Sequence, residues 1–231
     1  MKKLFVVALA LSLALGVTLP ASADSFFDNF NRPDAANLGS NWTTGSGSIG
    51  IANNMAASSF SSANYATVNG FSGSYLTTRL SVDALSTSTN LNYVALMLGY
   101  ANSSNNLFIK VQDQNNANKF GKAAFYYGNN GGGYFFDVTP FDAGRITVYA
   151  INANTIQLDI DSNFDGIADQ SYTHAYSASQ IAALGPGIGL GMYGPALADN
   201  YAANVVPLPG TLLLFGPGLV GLAALRRKLG R

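Results

Sequence analysis

Cysteine and glutamate are both absent from this chain, and histidine occurs once, as His174. Without cysteine there is no thiol nucleophile, no thiolate metal site and no disulfide. An exported fold of this sequence must then rest on its core and on any bound ions. A lone histidine on a strand is more often structural than catalytic, because a triad also needs a positioned nucleophile and an orienting group. No Gly-x-Ser-x-Gly segment supplies one, and Gly45-Ser46-Gly47-Ser48 is an ordinary loop. Gly187-Ile188-Gly189-Leu190-Gly191 lacks the βαβ surroundings of a nucleotide loop and reads as close sheet packing. Charge is scarce too, at 10% of residues. Of the 12 basic residues only six (Arg32, Arg79, Lys110, Lys119, Lys122 and Arg145) lie between Asp24 and Val205. All 12 acidic residues are aspartates of that same stretch, which leaves it with a charge of −6. No basic cluster exists there to neutralise phosphates, so nucleic-acid binding is disfavoured.

The chain does have an apolar run with a basic flank at each end. Lys2 and Lys3 precede Leu4 to Leu19, and Ala21-Ser22-Ala23 supplies small residues at cleavage positions. These are the parts of a secretory signal, which predicts that signal peptidase acts after Ala23 and that the mature chain starts at Asp24. At the other end Val206-Pro207-Leu208-Pro209 leads into an apolar stretch ending at Leu225, followed by Arg226, Arg227 and Lys228. That run, about 27 Å if helical, barely spans a hydrocarbon layer of about 30 Å. Pro217 interrupts it. Leu212 to Phe215 cover every side of a helix, which suits lipid better than packing on a domain. The basic cluster should remain cytoplasmic, leaving the body outside.

The Pro-x-Pro motif, single apolar helix and basic end of 206–231 resemble the PEP-CTERM sorting signal. Pro207-Leu208-Pro209 carries Leu where the family name implies Glu. The resemblance implies recognition by an exosortase-type transpeptidase in a Gram-negative cell that makes extracellular polysaccharide. It implies transient residence at the inner membrane and periplasm, and then the cell surface or matrix. Whether the tail is cut stays open.

The body, 24–205, reads as about a dozen short strands separated by Gly, Asn, Ser and Asp turns. In Ser74–Leu85, Leu76, Leu80 and Val82 alternate with Tyr75, Arg79 and Asp83. Asn92–Tyr100 is apolar on both faces, as a central strand would be. Lys119–Gly128 and Tyr134–Val138 flank a Gly-rich loop. The only helix candidate is a short one near Ser177–Leu184. The fold class is therefore all-β, an antiparallel β-sandwich or barrel, between a signal peptide and a single transmembrane sorting helix.

Phe26-Phe27-Asp28-Asn29-Phe30-Asn31-Arg32 and Leu38-Gly39-Ser40-Asn41-Trp42 resemble the opening of concanavalin A-like lectin/glucanase (LamG-like) jelly rolls. The resemblance implies that Ala198-Asp199-Asn200-Tyr201 lies in a strand paired with the opening one. Hydrolases of that fold typically work with paired Glu residues, which this chain lacks.

Three groups of residues could carry chemistry. Asp161, Asn163, Asp165 and Asp169 place oxygen side chains at positions 1, 3, 5 and 9 of a loop, with Gly166 at the bend and the Ile167 carbonyl as a further ligand. This is most of a calcium loop, but position 12 is Tyr172 instead of Glu. The alternative is an Asx-rich hairpin turn. Asp28 and Asp199 form a second, weaker cation candidate if the first and last strands are neighbours. Tyr126, Tyr127 and Tyr134, beside the Gly-rich loop, could stack on sugar rings or be sheet surface. Trp42 reads as core.

These features lead to the expectation of an exported, surface-sorted, non-catalytic protein that binds extracellular polysaccharide, with calcium as a candidate ion. An Asp-dependent polysaccharide lyase or hydrolase, and a structural coat protein without a ligand, are the alternatives.

Overall fold

The computed structural model describes residues 25–58, 63–87, 91–113, 118–129 and 131–206. The signal segment with Ala21, Ala23 and Asp24, and the sorting segment with Pro207, Leu208, Pro209, Arg226, Arg227 and Lys228, lie outside the described residues. Val206 lies within them, and its amide donates to the Thr77 carbonyl. Among the described residues no helix is long and apolar enough to cross a membrane.

Two antiparallel sheets make a sandwich of the jelly-roll kind. Strands are numbered in chain order. The seven-stranded sheet runs β10 (Gly133–Phe141), β9 (Phe120–Tyr127), β8 (Asn105–Asp113), β7 (Asn92–Asn102), β14 (Gly187–Tyr193), β5 (Asn64–Val68) and β2 (Trp42–Ser46). The eight-stranded sheet runs β13 (Gln170–Ala175), β12 (Thr155–Asp161), β11 (Ala143–Ala150), β6 (Thr78–Leu85), β15 (Leu197–Val205), β4 (Met55–Ser58) and β3 (Ile49–Ala52), with β1 (Ser25–Asp28) also on β15. One flank of β15 bonds β6; the other takes β4 at Leu197–Ala198 and β1 at Tyr201–Asn204. The short helix Ala178–Ala182 has Ser177 as its N-cap, with Gln180 closing a capping box.

The core lies between the sheets. Val94, Leu96 and Leu98 of β7, Ile109 and Val111 of β8, and Ile188, Leu190 and Met192 of β14 face Leu80, Val82, Ile146, Val148, Leu158 and Ile160 of the other sheet. The two-sided apolar pattern of β7 does mark a central strand, and the opening and closing strands do pair. Leu76 corrects the reading of Ser74–Leu85 as one strand. Thr77 N and Thr78 N both donate to the Ser74 carbonyl, so 74–77 is a turn and Leu76 is exposed.

Near the chain's opening, a buried aromatic plug is tied by one carboxylate. Trp42 packs edge-on against Phe26 at 5.4 Å and Tyr201 at 5.0 Å between ring centroids. Its Nε1 donates to Asp28 Oδ2 at 2.8 Å, and the Arg32 guanidinium donates to both Asp28 oxygens at 2.6 and 3.0 Å. The Phe30 amide adds a bond to Oδ1. Burial pushes the Asp28 carboxyl up, but these hydrogen bonds and the Arg32 charge outweigh it and hold it below the usual carboxylate range.

Candidate functional site

Because β-strand side chains alternate, the seven-stranded sheet has a second face, turned away from the core. The strand register brings its outward residues into lateral rows. Phe135, Ala124, Lys110, Ala95, Gly191 and Tyr65 are successive partners across β10, β9, β8, β7, β14 and β5. Beside them run Tyr126, Phe108, Met97 and Gly189, and on the far side Lys122, Gln112, Tyr93 and Tyr193. Small residues in the middle of this face leave a floor, and aromatic rings stand around it.

Glycine is required where the rings lie down. A Cβ on Gly191 would come within 2.4 Å of the Phe108 ring, and one on Gly133 equally close to Tyr126. On Gly45 it would meet the Tyr65 ring at 1.9 Å. The glycines of β14 are thus packing positions, as the sequence suggests.

The outcome is an open groove of about 700 Å³, lined by Leu91, Tyr93, Phe108, Lys110, Gln112, Tyr126, Asn129, Phe135 and Tyr193, among others. A second depression of about 380 Å³ shares Tyr93, Phe108 and Asn129 with it and extends it toward Tyr65 and Ser46. Tyr93 and Tyr193 are stacked at 5.7 Å with 18° between their planes; Phe135 stands edge-on to Tyr126. The Lys110 ammonium sits 4.4 Å from the Tyr93 ring centroid and 4.9 Å from that of Tyr126. Loss of hydration brings its pKa down to about 8. Burial pushes the Tyr93 and Tyr126 hydroxyls up, so both are neutral donors at physiological pH. The buried Oδ1 of Asn129 has no hydrogen-bond partner. Among the described residues no carboxylate lines the groove. Its walls offer ring faces, hydroxyls, amides and one cation, a set suited to holding a polar, ring-shaped ligand.

The three tyrosines singled out by sequence separate. Tyr126 is a wall of the groove. Tyr127, the next residue, turns to the opposite face, packs against the core and donates to Asn105 Oδ1 at 2.7 Å. Tyr134 lies on the other side of β10 from Phe135, at the open edge of the sandwich, where it is 60% exposed and its ring is tilted by 30° on His174 at 3.9 Å. His174 is held between Tyr134 and Tyr176, and burial lowers its pKa. Sequence reasoning missed Tyr93, Phe108, Lys110, Phe135 and Tyr193. Alternation across β7 and β8 was the available signal, since it places Tyr93, Phe108 and Lys110 off the core face.

At both cation candidates the carboxylates are hydrogen-bonded within the protein. In the 161–169 loop, Asp161 accepts from the amides of Asp165 and Gly166. Asn163 Oδ1 accepts from Asp165 N, and Asp165 Oδ1 from Ile167 N. Asp169 Oδ2 accepts from Ser162 N and Oγ, and these bonds lower its pKa. The carboxylates thus serve the turn's own backbone, the Asx-turn alternative. Asp28 and Asp199 do lie on neighbouring strands, but both Asp28 oxygens are already doubly engaged. Among the described residues no group of three or more acidic or histidine side chains could hold a metal ion.

No family model and no curated protein sequence matches this chain. Solved structures do. The CBM2 module of the evolved Dit of Lactobacillus casei BL23 phage J-1 superposes with a TM-score of 0.55 at 12% identity, covering 81% of this chain and 97% of that one. The pseudo β-1,3-glucanase of Mycobacterium tuberculosis, an immunostimulatory antigen, gives 0.52 at 9% identity, covering 80% and 98%. The metal-free exoplasmic/lumenal domain of VIP36 gives 0.50 at 9%, covering 80% and 92%. At such identities the likeness establishes the sandwich fold shared with these proteins.

Proposed function

We propose that this chain is an exported, non-catalytic glycan-binding protein that holds extracellular polysaccharide in the groove of the seven-stranded sheet. The observation that carries the reading is the groove itself, with aromatic faces on several sides and hydroxyl, amide and ammonium donors between them. Sugar rings present apolar CH faces to such walls and hydroxyls to such donors. A fold shared with a protein named as a carbohydrate-binding module supports the same reading. The two ends supply the address. Signal peptidase releases the mature chain after Ala23, and an exosortase-type enzyme handles 206–231 at the membrane before delivery to the surface or matrix.

The non-catalytic reading is supported by the groove lining, which among the described residues offers no carboxylate, whereas glycoside hydrolysis typically uses a pair of them flanking the bond. Calcium stays a candidate ion at the 161–169 loop, because carboxylates that accept from the loop's own amides keep lone pairs for a cation.

Affinity electrophoresis through gels containing soluble polysaccharides tests the proposal. Retardation by at least one polymer is expected, and Tyr193→Ala, folded by its melting curve, should lose it. Unretarded migration in every gel would overturn the reading, and self-assembly without sugar would then favour a coat role. Turnover of a polymer abolished by an Asp→Asn change would instead establish an enzyme.

A further inference from the structure

Four of the six cations in the body are matched with aspartates: Arg32 with Asp28, Arg79 with Asp159, Lys122 with Asp137, and Arg145 with Asp83. Of the other two, Lys119 is exposed. Lys110 is half-buried in the groove, with its ammonium against two ring faces and, among the described residues, no ion pair or hydrogen bond to it. No supply of counter-charge is concealed nearby, because the internal stretches 59–62, 88–90, 114–117 and 130 contain no Asp, Glu, Lys, Arg or His. The groups facing the ammonium are Tyr93 from β7, Tyr126 from β9 and the Gln112 amide further along β8; in the row of Gln112, Lys122 of β9 and Asp137 of β10 are bonded to each other. A desolvated cation with donors left over is expensive to keep, and elsewhere this protein pairs its strand cations with carboxylates, Arg79 and Arg145 on the opposite sheet and Lys122 on this one.

Resting on the glycan-binding reading, we propose that the groove selects acidic polysaccharide. In this proposal Lys110 bonds a carboxylate or sulfate on the sugar while Tyr93 and Tyr193 hold the adjoining ring. The anion supplies the charge that the fold withholds from this one lysine. Tyr93 and Tyr126 also fix the ammonium's position, so it discriminates by place as well as by sign.

The sign of the pH dependence follows. Lys110 in the free groove titrates at about 8. A bound anion raises that value, so affinity is full below pH 8 and falls as pH rises through and above it, by up to about tenfold per unit.

The experiment uses three soluble polymers: a polyuronate, a sulfated polysaccharide and a neutral glucan. Titration calorimetry compares the wild-type chain with Lys110→Met, Lys110→Arg and Tyr193→Ala. The expected result is tighter binding of one or both acidic polymers than of the glucan. Lys110→Met should lose at least tenfold for the acidic polymer, Lys110→Arg should keep most of it, and binding should weaken between pH 7 and 10. The two acidic arms tell carboxylate from sulfate. If Lys110→Met fails to fold, the pH series on the wild type decides alone. Equal affinity of wild type and Lys110→Met for acidic polymer, or affinity flat across that pH range, would overturn the proposal. It would leave the glycan reading intact if Tyr193→Ala still lost binding. Absence of wild-type binding to all three would overturn both.

Discussion

The outward faces of the two sheets meet the same solvent with opposite chemistry. On the eight-stranded sheet, Asp83 takes a forked pair of bonds from Arg145 at 2.7 and 3.0 Å and a third from Asn200. Asp159 accepts from Tyr149, Gln157 and Ser171. That face is charged, cross-linked and complete in itself. On the seven-stranded sheet the corresponding positions carry rings over alanine and glycine; Lys122 and Asp137 bond each other toward the sheet edge, and among the described residues Lys110 has no carboxylate partner. Frame and twist are common to both, so the difference lies in side-chain choice. One surface is finished, and the other leaves donors and ring faces for a ligand to complete.

The contrast presupposes a frame rigid enough to hold both faces, and the largest expected effect is on that frame. Asp28→Asn removes the charge that Arg32 and Trp42 bond, and should destabilise the body by about 3 kcal/mol. That would appear as a fall in melting temperature of roughly 6–12 °C. The Asp28 carboxyl is held below its ordinary range. Its contribution is therefore present at neutral pH and is lost as pH falls through that lowered value. Acid titration of the wild type should show a low-pH loss of stability that Asp28→Asn lacks.

Next comes the groove. Tyr93→Ala should weaken polysaccharide binding by about 2 kcal/mol, roughly thirtyfold, as read by calorimetry. Gly191→Ala sharpens the comparison, because its methyl must displace the Phe108 ring. About 1–2 kcal/mol of stability should be lost, with binding reduced as the floor fills. Arg145→Ala on the finished face should cost about 1 kcal/mol and leave polysaccharide binding unchanged. An equal loss of binding from that variant would erase the distinction between the faces. The smallest effect is expected from calcium at the 161–169 loop: millimolar calcium against chelator should raise the melting temperature by about 2 °C, and an unchanged value would leave the loop as an Asx-rich turn.

Strand-level organisation was legible because turn residues and alternation act locally. The Gly-rich loop between β9 and β10 and the short helix after Ser177 follow from such signals, whereas the pairing of β1 with β15 was implied only by the family resemblance of the opening segment. The groove was less legible. Alternation assigns residues to two sets but does not say which set faces the core when both are apolar, as in β7. Tyr126 and Tyr127 differ by one residue and so by a whole face. Leu76 shows the opposite failure: its parity matched Leu80 and Val82, but the Ser74 carbonyl drew two amides into a turn before the strand began. The 161–169 loop shows a different limit: the same oxygen spacing serves an ion or the loop's own amides, and sequence does not separate the two.

The closing strand β15 sits inside its sheet, bonded to β6 along one side and to β4 and β1 along the other. Tension applied at Val205 runs along that strand's axis. It loads both ladders in shear at once instead of peeling them apart pair by pair. The strand that would take such a load is held along both flanks.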